Sequence, residues 1–398
     1  MSVATTPRWS RSLAASSGQA VAPWIATHER RFRLICVVVP LLAIAALHAQ
    51  LPGALRPHLA LVADYATLVI GLTAIAFLLY LALVKVCSKR LRRVSFGRCL
   101  SRWHPVYIRT FARGDTPYAL VALAVTLPTF QLYKSTVVGR AGFHLDALFT
   151  QMDRWLFLGH DPWKLTHAML PAEGLTWVID RIYHPLFLPM IALFVLFAIT
   201  RERPELRRTY MATYLVSWLV IGMGLAQALA SAGPVFDGVL WGDGKTFAPL
   251  LDRLDAQAQG AGGLYAVAAR NYLLGANLAG EAGIGTGISA MPSMHVALAM
   301  MWTMVGWAVS RRLGVALTLY TLIIWIGSVH LGWHYAVDGL LAAVMVAAIW
   351  YLCGRVVGLY GTASRPSAAA DQASIPPASF PAGRREGSNR ARDCASGR

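Results

Sequence analysis

The stretch MPSMHVALAMMWTMVGWAVSRRLGVALTLYTLIIWIGSVHLGWHYAVD, residues 291 to 338, decides the fold. Two apolar runs are separated by Arg311 and Arg312, and each begins or ends on a histidine-bearing polar turn. The runs are span-length, free of acids and interrupted by a basic pair, the pattern of a transmembrane hairpin. The first turn carries His295. The second carries His330 and His334, with Asp338 four residues beyond His334.

Outward from this stretch the composition is the same. Of 398 residues, 56% are hydrophobic and 14% charged, and the mean hydropathy is +0.51. That excludes a water-soluble domain of this size and predicts an all-α, polytopic membrane helix bundle. The net charge of +17 does not point to nucleic acid, because the Lys and Arg fall in short runs between apolar stretches, where they set topology. The cysteines Cys36, Cys87, Cys99, Cys353 and Cys394 show no metal spacing, and no disulfide is expected.

Eight spans are predicted: about 34–51, 59–84, 116–133, 182–200, 210–230, 294–310, 313–331 and 335–356. Residues 1–33 read as a cytoplasmic N-terminal segment. The late, span-length first run, with no small-residue cleavage site after it, argues against a signal peptide. The loop with Lys85, Lys89, Arg90, Arg92, Arg93, Arg98, Arg102, Arg109 and Arg113 is assigned to the cytoplasm, as are Arg201, Arg203, Arg207 and Arg208, and Arg311 with Arg312. Both termini then lie inside. The segments 135–181 and 231–290 lie outside, on the periplasmic face of a bacterial inner membrane. Asp146 and Asp153, seven apart, are expected on one face of a short interfacial helix. The tail 359–398, rich in Ala, Ser, Pro and Arg, reads as disordered.

This topology brings His295, His334, Asp338 and Lys134 to one membrane surface. Asp338, four residues after His334 on a helix, is expected to hold one imidazole nitrogen and leave the other as a nucleophile or base. His295 supplies the complementary acid. The N-termini of the sixth and eighth spans are expected to offer free N–H groups to an anion. Two other readings stand beside this one. His330, His334 and Asp338 at four-residue spacing form a three-ligand metal pattern, and outer-face histidines also suit a transporter or proton sensor.

Pro292-Ser293-Met294-His295 with His334-Tyr335-Ala336-Val337-Asp338 resembles the second and third motifs of the type 2 phosphatidic acid phosphatase superfamily. The Gly-His-Asp-Pro-Trp at 159 to 163 and Ser-Ala-Gly-Pro at 231 to 234 resemble its inositol-phosphorylceramide-synthase-like branch. The resemblance covers about 116–356. It implies a six-helix core over 116–358, with the hairpin and basic loop of 34–115 as an addition outside it, and phosphoryl transfer without metal or other cofactor. His334 would form a phosphohistidine, Asp338 would orient it and His295 would protonate the leaving oxygen. Ser293, Met294, Lys134 and Arg140 would bind the phosphate of a membrane lipid. Further basic candidates are Arg154, Arg181 and Arg270. The chain departs from the pattern at Met294, where the motif has Gly, at Ser328, where an Arg is usual, and in lacking the Arg-Pro of the first motif. Acceptor identity, whether water or an alcohol, and oligomeric state are not specified by the sequence.

Overall fold

A bilayer leaves no water for unpaired backbone groups, so spanning segments satisfy themselves as helices. The computed structural model, which describes residues 23–87, 114–136, 142–200, 202–260, 262–281 and 285–360, follows that rule. Among the described residues, regular structure is helical apart from one isolated bridge between Asp237 and Trp241. In chain order the helices are α1 (Pro23–Gln50), α2 (Leu55–Cys87), α3 (Thr116–Thr136), α4 (Asp146–Leu156), α5 (Pro162–Met169), α6 (Glu173–Tyr183), α7 (Phe187–Ile199), α8 (Pro204–Ser217), α9 (Ala248–Ala258), α10 (Tyr265–Ala279), α11 (Met294–Val309), α12 (Arg311–His330) and α13 (Ala336–Val357).

Among the described residues, six helices are long and apolar enough to cross a membrane: Thr27–Gln50, Leu55–Leu79, Glu173–Ile199, Pro204–Ala228, Arg311–His330 and Ala336–Val357. The bundle holds two more. Helix α3 packs against α1 and α2, and its buried face carries Thr126, Thr129 and Gln131, which lower its hydropathy. Helix α11 is apolar but only 16 residues long. Helices thus stand at all eight segments expected from the sequence, six of them of clear span length, and three starts are corrected. The first helix begins at Pro23 and its apolar stretch at Thr27, not at 34, so residues 23–33 belong to α1.

The fourth span starts at Glu173 and not near residue 182, because α6 runs through the His184–Leu186 turn into α7. Part of the segment assigned to the outer region is therefore inside the span. The fifth starts at Pro204, whose ring suits the first turn of a helix. Arg207 and Arg208, assigned to a loop, are thereby buried in α8. They are held by Asp115, at 2.9 Å from Arg207 and 2.6 Å from Arg208, while Arg33 of α1 reaches the same carboxylate at 3.4 Å. This network ties α1, α3 and α8 at one end of the bundle. Asp115→Ala removes the carboxylate shared by two buried guanidiniums, leaving Arg208 only the longer pair with Glu29 at 3.6 Å, and is expected to cost about 3 kcal/mol, read as a large fall in thermal unfolding temperature in detergent. A variant as stable as wild type would deny the network that role.

Helix α8 continues as a π-helical stretch, Trp218–Leu225, before ending at Ala228. Such widened turns cluster at functional sites. Here the stretch packs beside Phe130 of α3: a Cβ at Gly222 would lie 2.9 Å from that ring, so only glycine fits without displacing it. The N-terminal segment before residue 23, the basic loop over 88–113 and the tail after residue 360 lie outside the described residues.

Candidate active site

The α12–α13 turn places His334. Helix α12 ends at His330, and the N–H groups of Trp333 and His334 both donate to the Ser328 carbonyl, at 2.9 and 3.2 Å. Tyr335 is the N-cap of α13, and Asp338 folds back to accept its N–H at 3.1 Å. The same oxygen lies 3.2 Å from His334 Nδ1. The His334–Asp338 pair therefore exists, but by a different device from the one expected. His334 precedes the helix, and a capping box, not a shared helix face, closes the pair. Both side chains are buried.

Helix α11 carries His295 as its second residue, in the first turn, where the N-cap Ser293 Oγ accepts the Val296 N–H at 3.4 Å. The Ser293 N–H donates to the Asp338 carbonyl at 3.3 Å, which locks the two motifs together. The His295 ring stacks on Tyr183 at 4.2 Å and meets Phe187 edge-on at 4.6 Å. Its centroid lies 6.2 Å from that of His334.

His295, His334, Lys134 and Met294 line one cavity of about 650 Å³. Much of the remaining wall is apolar and comes from Leu127 and Phe130 of α3, Leu188 and Ile191 of α7, and Trp218. Tyr65 and Leu68 of α2 also line it, so the N-terminal hairpin supplies part of the wall. Ser293 and Asp338 sit behind this lining, fully buried. Arg140 lies outside the described residues. The other arginines named from the sequence are engaged elsewhere: Arg154 with Asp161 at 2.6 Å, Arg270 with Asp255 at 2.6 Å, and Arg181 with Asp180 and the Gly262 carbonyl. Among the described residues, Lys134 is the one Lys or Arg on the cavity wall.

Two interfacial-helix carboxylates build the frame, and nothing in the sequence pointed to their partners. Asp153 accepts from Ala336 and Val337 N–H at 2.8 and 3.0 Å, so it occupies the N-terminus of α13. The expectation of a free anion-binding terminus there is corrected: the anion is a side chain of α4. Burial pushes the Asp153 carboxyl up to about 7 against the pull of these two donors. Asp146, on the same face of α4, accepts from Ala232 and Gly233 N–H at 2.9 and 2.7 Å and from the Tyr335 hydroxyl at 2.8 Å. Burial raises its pKa as well, and the three donors only partly offset that.

The Ser-Ala-Gly-Pro segment completes the clasp. Ser231 Oγ accepts the Met291 N–H at 3.1 Å, and its carbonyl accepts the Ala290 N–H at 2.9 Å. Gly233 has φ of 94° and a Cβ there would sit 2.7 Å from the Trp333 carbonyl oxygen, so the close approach needs glycine. In Gly-His-Asp-Pro-Trp, Asp161 pairs with Arg154 and Lys164 at 2.6 and 2.8 Å. Burial opposes its ionisation, but the two cations win and its pKa is lowered. Pro162 then opens α5.

His330 belongs to neither of the motifs that carry His295 and His334. Its Nε2 shares a hydrogen bond with Thr176 Oγ1 at 2.9 Å, and its ring stacks on His167 at 3.9 Å. The three-ligand pattern with His334 and Asp338 is thus not assembled, and among the described residues no group of three His, Cys, Asp or Glu is placed to hold a metal ion.

Fold and cavity define a polytopic helical membrane protein with two histidines and a carboxylate gathered at the polar end of an apolar pocket. A family model described as PAP2 superfamily matches residues 147–352, more than half of the chain, and the chain belongs to that superfamily. The matched region runs from α4 into α13 and contains both histidine motifs. Membership makes it a phosphatase-type enzyme in the general sense. No curated protein and no solved structure matches the chain.

Proposed function

We propose that the chain transfers a phosphoryl group from a lipid phosphate or phospholipid headgroup through a phosphohistidine on His334, with inositolphosphotransferase-like use of an alcohol acceptor. The observation that carries this reading is the fixing of His334 Nδ1 by Asp338 while the ring shares a cavity wall with His295 and Lys134. With Nδ1 held, Nε2 is the nucleophile.

In the first half-reaction Nε2 attacks phosphorus, the bond to the leaving oxygen breaks, and His295 gives that oxygen its proton. The imidazolium formed on His334 faces the Asp338 carboxylate, which stabilises it. In the second, the acceptor hydroxyl attacks phosphorus, His295 takes its proton and the P–N bond breaks. Lys134 and the backbone at Met294, both on the cavity wall, hold phosphoryl oxygens. Ser293, whose buried hydroxyl caps α11 behind that wall, is assigned to the same phosphate on the strength of the family resemblance, acting by holding the Met294 backbone in place. Arg140, which follows Lys134 in the sequence, is assigned to the same phosphate on the strength of the family resemblance. The apolar walls suit acyl chains, which supports a membrane lipid over a soluble ester.

The deciding experiment incubates the detergent-purified protein with labelled phospholipids and polyprenyl phosphates, with and without ceramide or diacylglycerol. A new labelled lipid that requires the acceptor supports transfer. Release of free phosphate alone makes the protein a lipid phosphate phosphatase, with water as acceptor. Turnover of none of the panel overturns the enzymatic reading.

For localisation we propose an inner-membrane protein with this site on the periplasmic side and both termini in the cytoplasm. The support is the distribution of basic residues between spans. A cysteine placed near Gly242, at the exposed Lys245, is expected to react with an impermeant thiol reagent in intact spheroplasts, and one near Arg92 only after lysis. The opposite pattern would reverse the orientation.

A further inference from the structure

The polar end of the cavity holds a second histidine–carboxylate pair that the proposed transfer steps do not use. Asp180 and His184 are four residues apart, where α6 passes into the His184–Leu186 turn. His184 Nδ1 lies 3.0 Å from Asp180 Oδ1 and 3.1 Å from the Asp180 carbonyl oxygen. Both neighbours accept, so Nδ1 carries a proton. Asp180 is itself immobilised: it accepts from Tyr265 and Ala266 N–H at 2.7 and 2.8 Å and pairs with Arg181. A histidine held by such a carboxylate has a fixed ring orientation.

The ring forms part of the cavity wall together with His295 and His334, and packs edge-on against Trp333 at 5.9 Å between centroids. Its Nε2 is buried and has no hydrogen-bond partner among the described residues. Buried polar atoms are almost always satisfied, and an orphan beside a cavity calls for a ligand. A phosphorylated lipid brings several anionic oxygens, against which the wall sets Lys134 and histidines already assigned to attack and proton transfer.

We infer that His184, oriented by Asp180, is a substrate-binding residue whose Nε2–H donates to an oxygen of the phosphoryl group. In that arrangement the ring is an imidazolium bridging a buried carboxylate and the phosphate, which is a charge-assisted bond at each end. This inference rests on the phosphoryl-transfer reading of the cavity.

The test measures ligand-induced thermal stabilisation of the full-length protein in detergent, with inorganic phosphate in one arm and short-chain phosphatidic acid in mixed micelles in the other. His184→Phe is expected to bind both ligands roughly tenfold or more weakly, the loss of one bond to a charged group. His184→Gln, whose amide nitrogen reaches about as far as Nε2, is expected to stay within about threefold of wild type. Weakening in the lipid arm alone also supports the inference and assigns the contact to an esterified phosphate. Unchanged binding in His184→Phe overturns it, as does weakening confined to free phosphate. Equal losses in the Phe and Gln variants overturn it too, because packing and not a donor is then at issue. If wild type binds neither ligand and turns over no phospholipid, the phosphoryl-transfer reading itself has failed.

Discussion

His334→Ala is expected to abolish turnover, a loss on the order of 10⁴-fold or more, and to yield no acid-labile phosphoenzyme when quenched with labelled substrate. The substitution removes the nitrogen proposed to attack phosphorus while sparing the scaffold. The turn is held by the residue's own backbone N–H, bonded to Ser328, and by the Tyr335–Asp338 capping box, neither of which needs the ring. Unfolding temperature should therefore change little. Asp338→Asn probes the same assignment from the other side. The amide keeps its shape but cannot stabilise the imidazolium formed on attack, so turnover should again fall steeply. Retained turnover, or a phosphoenzyme of undiminished yield in His334→Ala, would falsify the assignment of the nucleophile.

What could be read in the sequence was governed by how local each cause is. Spans show in apolar runs and in the basic clusters between them, so a helix was legible at each of the eight segments, although the first begins at Pro23 and not at 34. Boundaries at Glu173 and Pro204 were not. Arg207 and Arg208 look like loop residues until Asp115, far earlier in the chain, neutralises them inside the bundle. The His334–Asp338 pair was legible from its spacing, although the capping box that closes it was not distinguished from a helix face.

Long-range partners left no such trace. The seven-residue spacing of Asp146 and Asp153 placed them on one face, and both are buried there. Their targets at Ala232, Gly233, Tyr335, Ala336 and Val337 come from distant parts of the chain. The same holds for Tyr183, which supports the His295 ring from another helix. Asp180 and His184 did carry a local signal, the same four-residue spacing as His334 and Asp338, in a segment assigned to the membrane boundary and read only for its length and charge.

His295→Gln separates the acid from the nucleophile. If His295 protonates the leaving oxygen, its loss should matter in proportion to how badly that oxygen needs a proton. With a lipid alcohol as leaving group, phosphoenzyme formation is expected to slow by roughly 10²- to 10⁴-fold, the usual range for a positioned general acid. With a nitrophenyl phosphate ester, whose phenolate departs without protonation, the same step should lose less than about tenfold. The stacked Tyr183 and edge-on Phe187 form a slot that the flat amide of glutamine can occupy, so the comparison is made on a folded site. Equal losses for both esters would remove His295 from acid catalysis and leave it a role in holding the phosphate. A loss seen only with the poor leaving group fixes it as the residue that passes the proton, from a ring whose centroid lies 6.2 Å from that of His334.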